Sequence, residues 1–402
     1  MCGRWFKNKK RVMTADPIDV VTIQNNEVAS LAFSRDDHIL AIGLHDGTWS
    51  RGNTLCLWNT QTRQPIPVMR KSNYGAVTSM AFSSDNQYLY TAGADGTVCV
   101  RNPVTGQFIK SFANGNRAIT CCALSVDNQY FACGSTSLAR SLCIRNTTTT
   151  QRLPSLYNIP SDDPVSIAFS RDGSMFASAA AYSYSRHCCI VAVWRVADSR
   201  RLCEVELPTP VHSVGFFADG RLLTCDRTCA RVWNPRTGAL LKSVPLTIDY
   251  SWTHEALSQD CNYVVRAVDR WALHIIDTTS GQRVRRISDN GRVCRLAFSH
   301  DATLLAVALN YSIVNASYNG SNVYNVVIIP LLDKTWLRKI ACILLGVNVA
   351  PYVVLDIVDF MMAETFSNAL QVESAYRHIE KIHCIASVHN RLRQKQPVVD
   401  HY

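Results

Sequence analysis

One pattern recurs seven times along this chain: a short apolar run that ends in a phenylalanine or leucine, followed three residues later by an aspartate. The intervals between consecutive copies are 49, 42, 45, 47, 41 and 41 residues. Chance does not align seven copies at such regular intervals, so the chain is a tandem repeat. The apolar residues are Phe33, Phe82, Leu124, Phe169, Phe216, Leu257 and Phe298, and the aspartates are Asp36, Asp85, Asp127, Asp172, Asp219, Asp260 and Asp301.

The copy at residues 77–106 predicts the structure of the unit. Its apolar run "VTSMAF" is followed by Ser84, Asp85 and Asn86, whose short polar side chains favour a turn. "YLYTAG" resumes a β-rich run, and Asp95-Gly96 is a hairpin signal because this dipeptide tolerates positive φ. "TVCVRN" is a third strand that ends at a further turn. Four short strands repeated every 41 to 49 residues are typical of a propeller blade. We therefore predict an all-β fold, a seven-bladed β-propeller.

The ends of the third strands resemble the WD40 repeat family. The segments "LWNTQT" (57–62), "VWNPRTG" (232–238) and "IIDTTSG" (275–281) match its strand ending and turn. The aspartate that follows tryptophan in the family is replaced by Asn59, Asn234 and Arg195, and the usual Gly-His pair is absent from every copy. The hydrogen-bond network of the family is therefore incomplete here. The resemblance covers roughly residues 17–330 and implies a WD40-like propeller.

The two ends of the chain suggest the domain boundaries. After "NVVIIP" the last unit has no outer strand, whereas the spare strand "IDVVTIQ" (18–24) precedes the first unit. We expect this N-terminal strand to complete the last blade and close the ring, because closure protects strand edges. The predicted domains are a basic disordered tail (1–16), the propeller (17–331) and a C-terminal α-helical module (332–402).

Composition narrows the class of protein. The chain carries 41 lysines and arginines against 31 acidic residues, for a formal net charge of +10. This excess is spread over a large surface, whereas nucleic-acid-binding proteins usually concentrate it. No secretory segment follows the start, so we expect a cytoplasmic protein, with a nuclear location as the alternative. The uncharged segment 340–355 is too short to span a bilayer, and no transmembrane segment is predicted.

The sequence contains no motif for phosphate, dinucleotide or hydrolase chemistry. The clusters "HCC" (187–189) and "CDRTC" (225–229) lack the two separated pairs of a structural zinc site. Cys56, Cys99 and Cys143 occupy the same position in successive third strands and are interpreted as small, reduced core residues. We therefore predict no catalytic residue, no metal, no cofactor and no enzymatic activity.

Binding is predicted on the face formed by the connections between second and third strands and between blades. Three of the former are long: 44–54, 180–189 and 310–325. They are rich in Tyr, Trp and Arg, the side chains that dominate interface energetics. The composition favours protein or peptide partners over nucleic acid or a small-molecule substrate. The predicted partner-binding residues are Trp49, Arg51, Arg70, Tyr74, Tyr182, Tyr184, Arg186, Tyr311 and Tyr318.

Two further resemblances suggest an alternative role. "WNPR" (233–236) resembles the WDxR box of propellers that dock onto cullin-4 adaptor proteins, with Asn234 in place of the aspartate. "APYVVLDIVDFM" (350–361) resembles F-box and suppressor-of-cytokine-signalling boxes, with departures in spacing. These imply a substrate receptor of a cullin-type ubiquitin ligase, whereas the basic surface leaves a nucleic-acid- or chromatin-associated propeller as a third alternative. The candidate adaptor-binding residues are Leu337, Pro351, Leu355, Ile357 and Phe360.

Overall fold

Strand pairing in the computed structural model repeats with the sequence. The structure describes residues 17–24, 26–45, 54–68, 75–114, 117–136, 142–153, 164–180, 188–246, 254–268, 272–289, 291–311 and 323–331. Within them lie seven antiparallel sheets, which are the seven blades of a β-propeller. The predicted all-β seven-bladed fold is confirmed, whereas the predicted helical module (332–402) and basic tail (1–16) lie outside the described residues.

Blades 1 to 4 follow one another along the chain, and each sheet keeps its strands in sequence order. Blade 1 contains β2 (Glu27–Phe33), β3 (Ile39–His45), β4 (Leu55–Asn59) and β5 (Gln64–Ile66). Blade 2 contains β6 (Val77–Phe82), β7 (Leu89–Gly93), β8 (Thr97–Arg101) and β9 (Phe108–Ala113). Blade 3 contains β10 (Ile119–Leu124), β11 (Tyr130–Ser135) and β12 (Leu142–Asn146). Blade 4 contains β13 (Pro164–Phe169), β14 (Met175–Ala180), β15 (Cys189–Arg195) and β16 (Arg201–Leu207).

Blades 5 and 6 continue this order, whereas blade 7 combines the two ends of the described chain. Blade 5 contains β17 (Val211–Phe216), β18 (Leu222–Asp226), β19 (Cys229–Trp233) and β20 (Leu240–Pro245). Blade 6 contains β21 (Glu255–Leu257), β22 (Tyr263–Ala267), β23 (Ala272–Asp277) and β24 (Arg283–Ser288). Blade 7 contains β25 (Arg292–Phe298), β26 (Leu304–Asn310), β27 (Val323–Pro330) and, as its fourth strand, β1 (Asp19–Gln24).

The strand β1 pairs antiparallel with β27, with Asp19 opposite Ile328 and Gln24 opposite Val323. A side chain also links β1 to blade 1, because Trp58 Nε1 donates to Asp19 Oδ2 at 2.6 Å. Blade 7 is therefore built from strands about 300 residues apart in sequence. At the end of the described chain, Leu331 N–H donates to Thr303 O at 2.7 Å.

The repeated sequence pattern builds one kind of turn. Each of the seven apolar anchor residues is the last residue of the first strand of its blade. In blade 2, Ser83 Oγ donates to Asp85 Oδ1 at 2.5 Å and accepts the N–H of Tyr88 at 2.9 Å. Blades 1, 3, 4 and 6 repeat both bonds. Short polar side chains thus satisfy the backbone where the chain reverses.

The apolar core lies between neighbouring blades. Residues of blades 2 and 3 form one buried cluster, in which the rings of Tyr90 and Phe131 stack with centroids 5.2 Å apart. Blades 3 and 4 form another, in which Phe176 and Trp194 stack at 4.9 Å. A Cβ at Gly43 would collide with the Ser30 hydroxyl of its own blade and with Val77 of the next, so blades 1 and 2 approach closely there. Each blade therefore buries its faces only against its neighbours.

Candidate functional site at the loop face

The two ends of the blades differ. The first strands of consecutive blades contact one another, including β25 with β2, and so line the central channel. At one end, which we call the turn face, lie the repeated Ser–Asp turns and the connections between third and fourth strands. At the other end, the loop face, each second strand connects to the third and each blade to the next. The sequence prediction placed partner binding on the loop face.

Of the predicted partner-binding residues, the structure describes Tyr311. Its hydroxyl donates to Asp289 Oδ2 at 2.8 Å, and burial and this carboxylate raise its pKa. A Cβ at Gly291 would collide with the ring, so Tyr311 packs against the start of blade 7. The other eight residues and all five candidate adaptor-binding residues lie outside the described residues, and their roles stay predictions. They are Trp49, Arg51, Arg70, Tyr74, Tyr182, Tyr184, Arg186, Tyr318, Leu337, Pro351, Leu355, Ile357 and Phe360.

The "WNPR" segment lies at the turn face of blade 5. Trp233 is buried and donates its Nε1 to Thr224 Oγ1 at 2.9 Å. Asn234 Oδ1 accepts the N–H groups of Arg236 and Thr237, so the asparagine closes the turn into β20. Arg236 is exposed. The tryptophan is thus a core residue, and the arginine is the residue of the motif that reaches the surface.

Sequence analysis missed a buried ion pair at the loop-face end of the channel. Glu255 and Arg266 are opposite each other in β21 and β22, and Arg266 Nε lies 2.7 Å from Glu255 Oε2. The two side chains are only 7% and 8% exposed. Glu255 also accepts a hydrogen bond from Ser213 of blade 5. Burial raises the pKa of Glu255, against the opposing effects of Arg266 and Ser213.

A second buried carboxylate, Asp226, ends β18 beside this pair. Its Oδ2 accepts from Thr209 Oγ1 at 2.6 Å and from Arg231, and its Oδ1 accepts from Thr228 and Cys229 N–H, both at 2.7 Å. Burial alone would raise the pKa of Asp226, but these hydrogen bonds outweigh it and hold the pKa at about 2. Asp226 is therefore ionised at neutral pH.

Arg266 joins blade 6 to blade 5 as well. Its Nη1 donates to Arg227 O at 3.0 Å, and its Nη2 donates to Asp226 O. All three guanidinium nitrogens thus have an acceptor. In blade 7, Arg295 has a similar role, since its Nε donates to Ala29 O of blade 1 at 2.6 Å. Arg266 thus links the second strand of blade 6 to the end of the second strand of blade 5, and Arg295 links the first strands of blades 7 and 1, so both fix the rim of the channel.

Two histidines, His212 and His254, lie near arginines of this region. Burial, followed by the charges of Arg295 and Arg292, lowers the pKa of His254 to about 4. Burial, followed by Arg227 and Arg266, lowers the pKa of His212, with Asp226 opposing. Both imidazoles are therefore neutral at pH 7. His254, Glu255, Arg295 and Leu296 line a cavity of about 350 Å³ between blades 6 and 7.

The remaining predictions concern metals and membranes. Of the two cysteine clusters, Cys189 and Cys225 are buried strand residues, and Cys188, directly before β15, is also buried. Within the described ranges, no group of three or more His, Cys, Asp or Glu side chains is arranged to hold a metal ion. Across the same residues, no helix has the length and apolar character that crossing a bilayer requires.

Comparison with known proteins identifies the repeat. Residues 64–102 and 106–143 match the family model "WD domain, G-beta repeat". Among solved structures, the β-propeller domain of Cps50 (Swd1) from Myceliophteria thermophila is similar, with a TM-score of 0.60 and 15% sequence identity. The match covers 78% of this chain and 99% of that domain. The chain is therefore a seven-bladed β-propeller in which residues 64–102 and 106–143 match the WD40 repeat.

Proposed function

We propose that this propeller is a non-catalytic scaffold that binds protein or peptide partners at its loop face. One observation carries the proposal: buried arginine, glutamate and aspartate side chains fix the rim of the channel on this face. Because Arg266 and Arg295 are each bonded to carbonyls of a neighbouring blade, the charges are held in place before a partner arrives. A preorganised polar surface loses less entropy on binding than a mobile one.

The long connections that follow the second strands of blades 1, 4 and 7 in the sequence support the same proposal. They carry the predicted residues Trp49, Tyr182 and Arg186, of the types that most often act as hot spots. A rigid scaffold that presents variable loops is a common arrangement for recognition. The WD40 match is to a repeat family and not to an enzyme family.

The test is affinity purification with mass spectrometry from cells that express the full chain. We expect the combined variant Trp49→Ala, Tyr182→Ala and Arg186→Ala to lose most of its specific partners. A matched turn-face variant, Arg63→Ala with Arg236→Ala, replaces exposed residues and should keep them. An unchanged partner list in the loop-face variant would contradict the proposal.

The ubiquitin-ligase alternative makes a separate prediction about residues 332–402. If this segment recruits an adaptor, the full-length variant Leu337→Asp with Leu355→Asp loses adaptor and cullin subunits but keeps the loop-face partners. If the purified partners are the same as for the natural sequence, the segment is not a ligase box. The resemblance of residues 350–361 to such boxes is the support for this alternative.

A further inference from the structure

Among the described residues at the loop-face end of the channel between blades 5 and 7, arginines outnumber carboxylates. Each carboxylate of the described residues in this region has a donor of its own: Asp226 has Arg231, Glu255 has Arg266, and Asp289 has the hydroxyl of Tyr311. At the start of blade 1, Glu27 Oε2 lies 3.9 Å from His45 Nδ1. The carboxylates of the region are therefore already engaged within the protein.

Two arginines of this region are not neutralised in the same way. Arg227 is exposed in the turn between β18 and β19. Arg295 donates to two backbone carbonyls, those of Ala29 and Cys294, which carry no net charge. Among the described residues, no carboxylate lies within ion-pair distance of either guanidinium.

The cavity beside Arg295 has the dimensions and walls of a side-chain pocket. Its volume of about 350 Å³ holds a few side chains, and Leu296 gives it an apolar wall beside the charged groups. An aliphatic stem can pack on such a wall while its anionic end meets a guanidinium. Burial is the main cause of the lowered pKa of His254, and the positive charges of Arg295 and Arg292 add to it.

We propose that this region, which includes Arg227, Arg295 and the cavity lined by His254, Glu255, Arg295 and Leu296, binds an acidic peptide segment of a protein partner. This inference rests on the proposed function and specifies its partner. One acidic side chain enters the cavity and meets Arg295, while another acidic residue of the same segment meets Arg227. Nucleic-acid binding draws on many phosphate contacts, whereas the surplus here is confined to a few side chains.

Arg227 is the better residue to test, because it is exposed and its side chain makes no contact that holds two blades together. The probes are two fluorescein-labelled peptides, Gly-Ser-(Glu)₄-Gly-Ser and the same sequence with glutamine for glutamate, titrated with the full chain at low salt. We expect the glutamate peptide to bind about tenfold more tightly than the glutamine peptide. We expect Arg227→Gln to weaken the binding of the glutamate peptide about threefold or more. Arg236→Gln removes the same charge from the turn face of the same blade and should leave the affinity unchanged.

A second readout distinguishes binding from a purely structural effect. A carboxylate that enters the cavity favours the charged imidazole and raises the pKa of His254, whose charged neighbours are Glu255, Arg292 and Arg295. We expect NMR titration of this histidine to show the upward shift with the glutamate peptide and not with the glutamine peptide. A phosphoserine version of the peptide tests whether a phosphorylated side chain binds in the same way.

Three outcomes would overturn the inference. Equal affinity for the two peptides would exclude recognition of charge, and equal losses in Arg227→Gln and Arg236→Gln would exclude this location. Tighter binding of an eight-nucleotide oligothymidine than of the peptide would replace the acidic peptide by nucleic acid. If the glutamate peptide does not bind, while the loop-face variant still loses its cellular partners, this inference fails and the proposed scaffold function stands.

Discussion

Arg266 Nε lies 2.7 Å from Glu255 Oε2 in a pair that is more than nine-tenths buried and joins adjacent strands of blade 6. The same guanidinium donates to the carbonyls of Asp226 and Arg227 in blade 5. One side chain therefore neutralises a buried carboxylate and holds two blades together.

Removing the carboxylate of this pair should be costly. Glu255→Ala leaves Arg266 charged and buried, so we expect the free energy of unfolding to fall by about 3–5 kcal/mol. Glu204 of β16, which pairs with Arg201 at the surface, is the matched control, and Glu204→Ala should cost no more than about 1 kcal/mol. Denaturant unfolding of both variants measures the difference. Similar losses in the two variants would contradict the importance of burial.

Asp226 should make the fold sensitive to acid. Its pKa is about 2 in the folded protein, against an ordinary value of 3.8. Unfolding therefore takes up a proton between these values, and the stabilisation is complete above pH 3.8 and is lost as the pH falls through about 2. The linked free energy is about 2 kcal/mol. We expect Asp226→Asn to be less stable at pH 5 and to lose less stability between pH 4 and pH 2.5. Parallel pH profiles for the two proteins would contradict this.

His254 should affect the stability of the fold in a higher pH range than Asp226 does. The folded protein keeps its pKa at about 4, against 6.5 for the free side chain. As the pH falls from 6.5 to 4, the unfolded chain binds a proton that the folded protein does not, so stability decreases. We expect His254→Gln to flatten the stability profile over this window. An unchanged slope of the stability profile in His254→Gln would contradict this prediction.

The turn face offers a test of contacts between blades. Asn128 has a φ of 59° and accepts the N–H of Ser84 in the preceding blade at 2.8 Å. Asn128→Gly keeps this left-handed backbone conformation but removes the acceptor, so we expect a loss of about 1 kcal/mol. Arg63→Gly changes another left-handed residue, with φ of 56°, and should be neutral or slightly stabilising. If Asn128→Gly left the free energy of unfolding unchanged, the inter-blade hydrogen bond would contribute nothing to stability.

The sequence predicted the parts of this structure that depend on local pattern. Phe82 and Asp85 mark the end of a strand and its turn because an apolar alternation and a polar turn are both encoded within about ten residues. The roles of Cys99 and Trp233 as buried strand residues follow from the same local repetition. The partner-binding role of Tyr311 stays a prediction, although the structure adds its bond to Asp289.

The charged rim could not be predicted in this way. Glu255 and Arg266 are 11 residues apart on paired strands of blade 6, and Arg266 donates to the carbonyl of Asp226, which is 40 residues away in blade 5. Glu255 stands where other repeats have an apolar residue, such as Leu31, Met80 and Leu296, so periodicity predicts a core side chain at this position and not a charge.

The sequence by itself determined the number of blades, the strand order within them and the turns that end their first strands, because these depend on short-range patterning and turn chemistry. The tertiary structure decided which charged groups meet at the loop face, and it set the register of the expected closing strand, with Asp19 opposite Ile328. Those relationships depend on how blades pack around the channel, and this packing brings together residues that no local pattern connects.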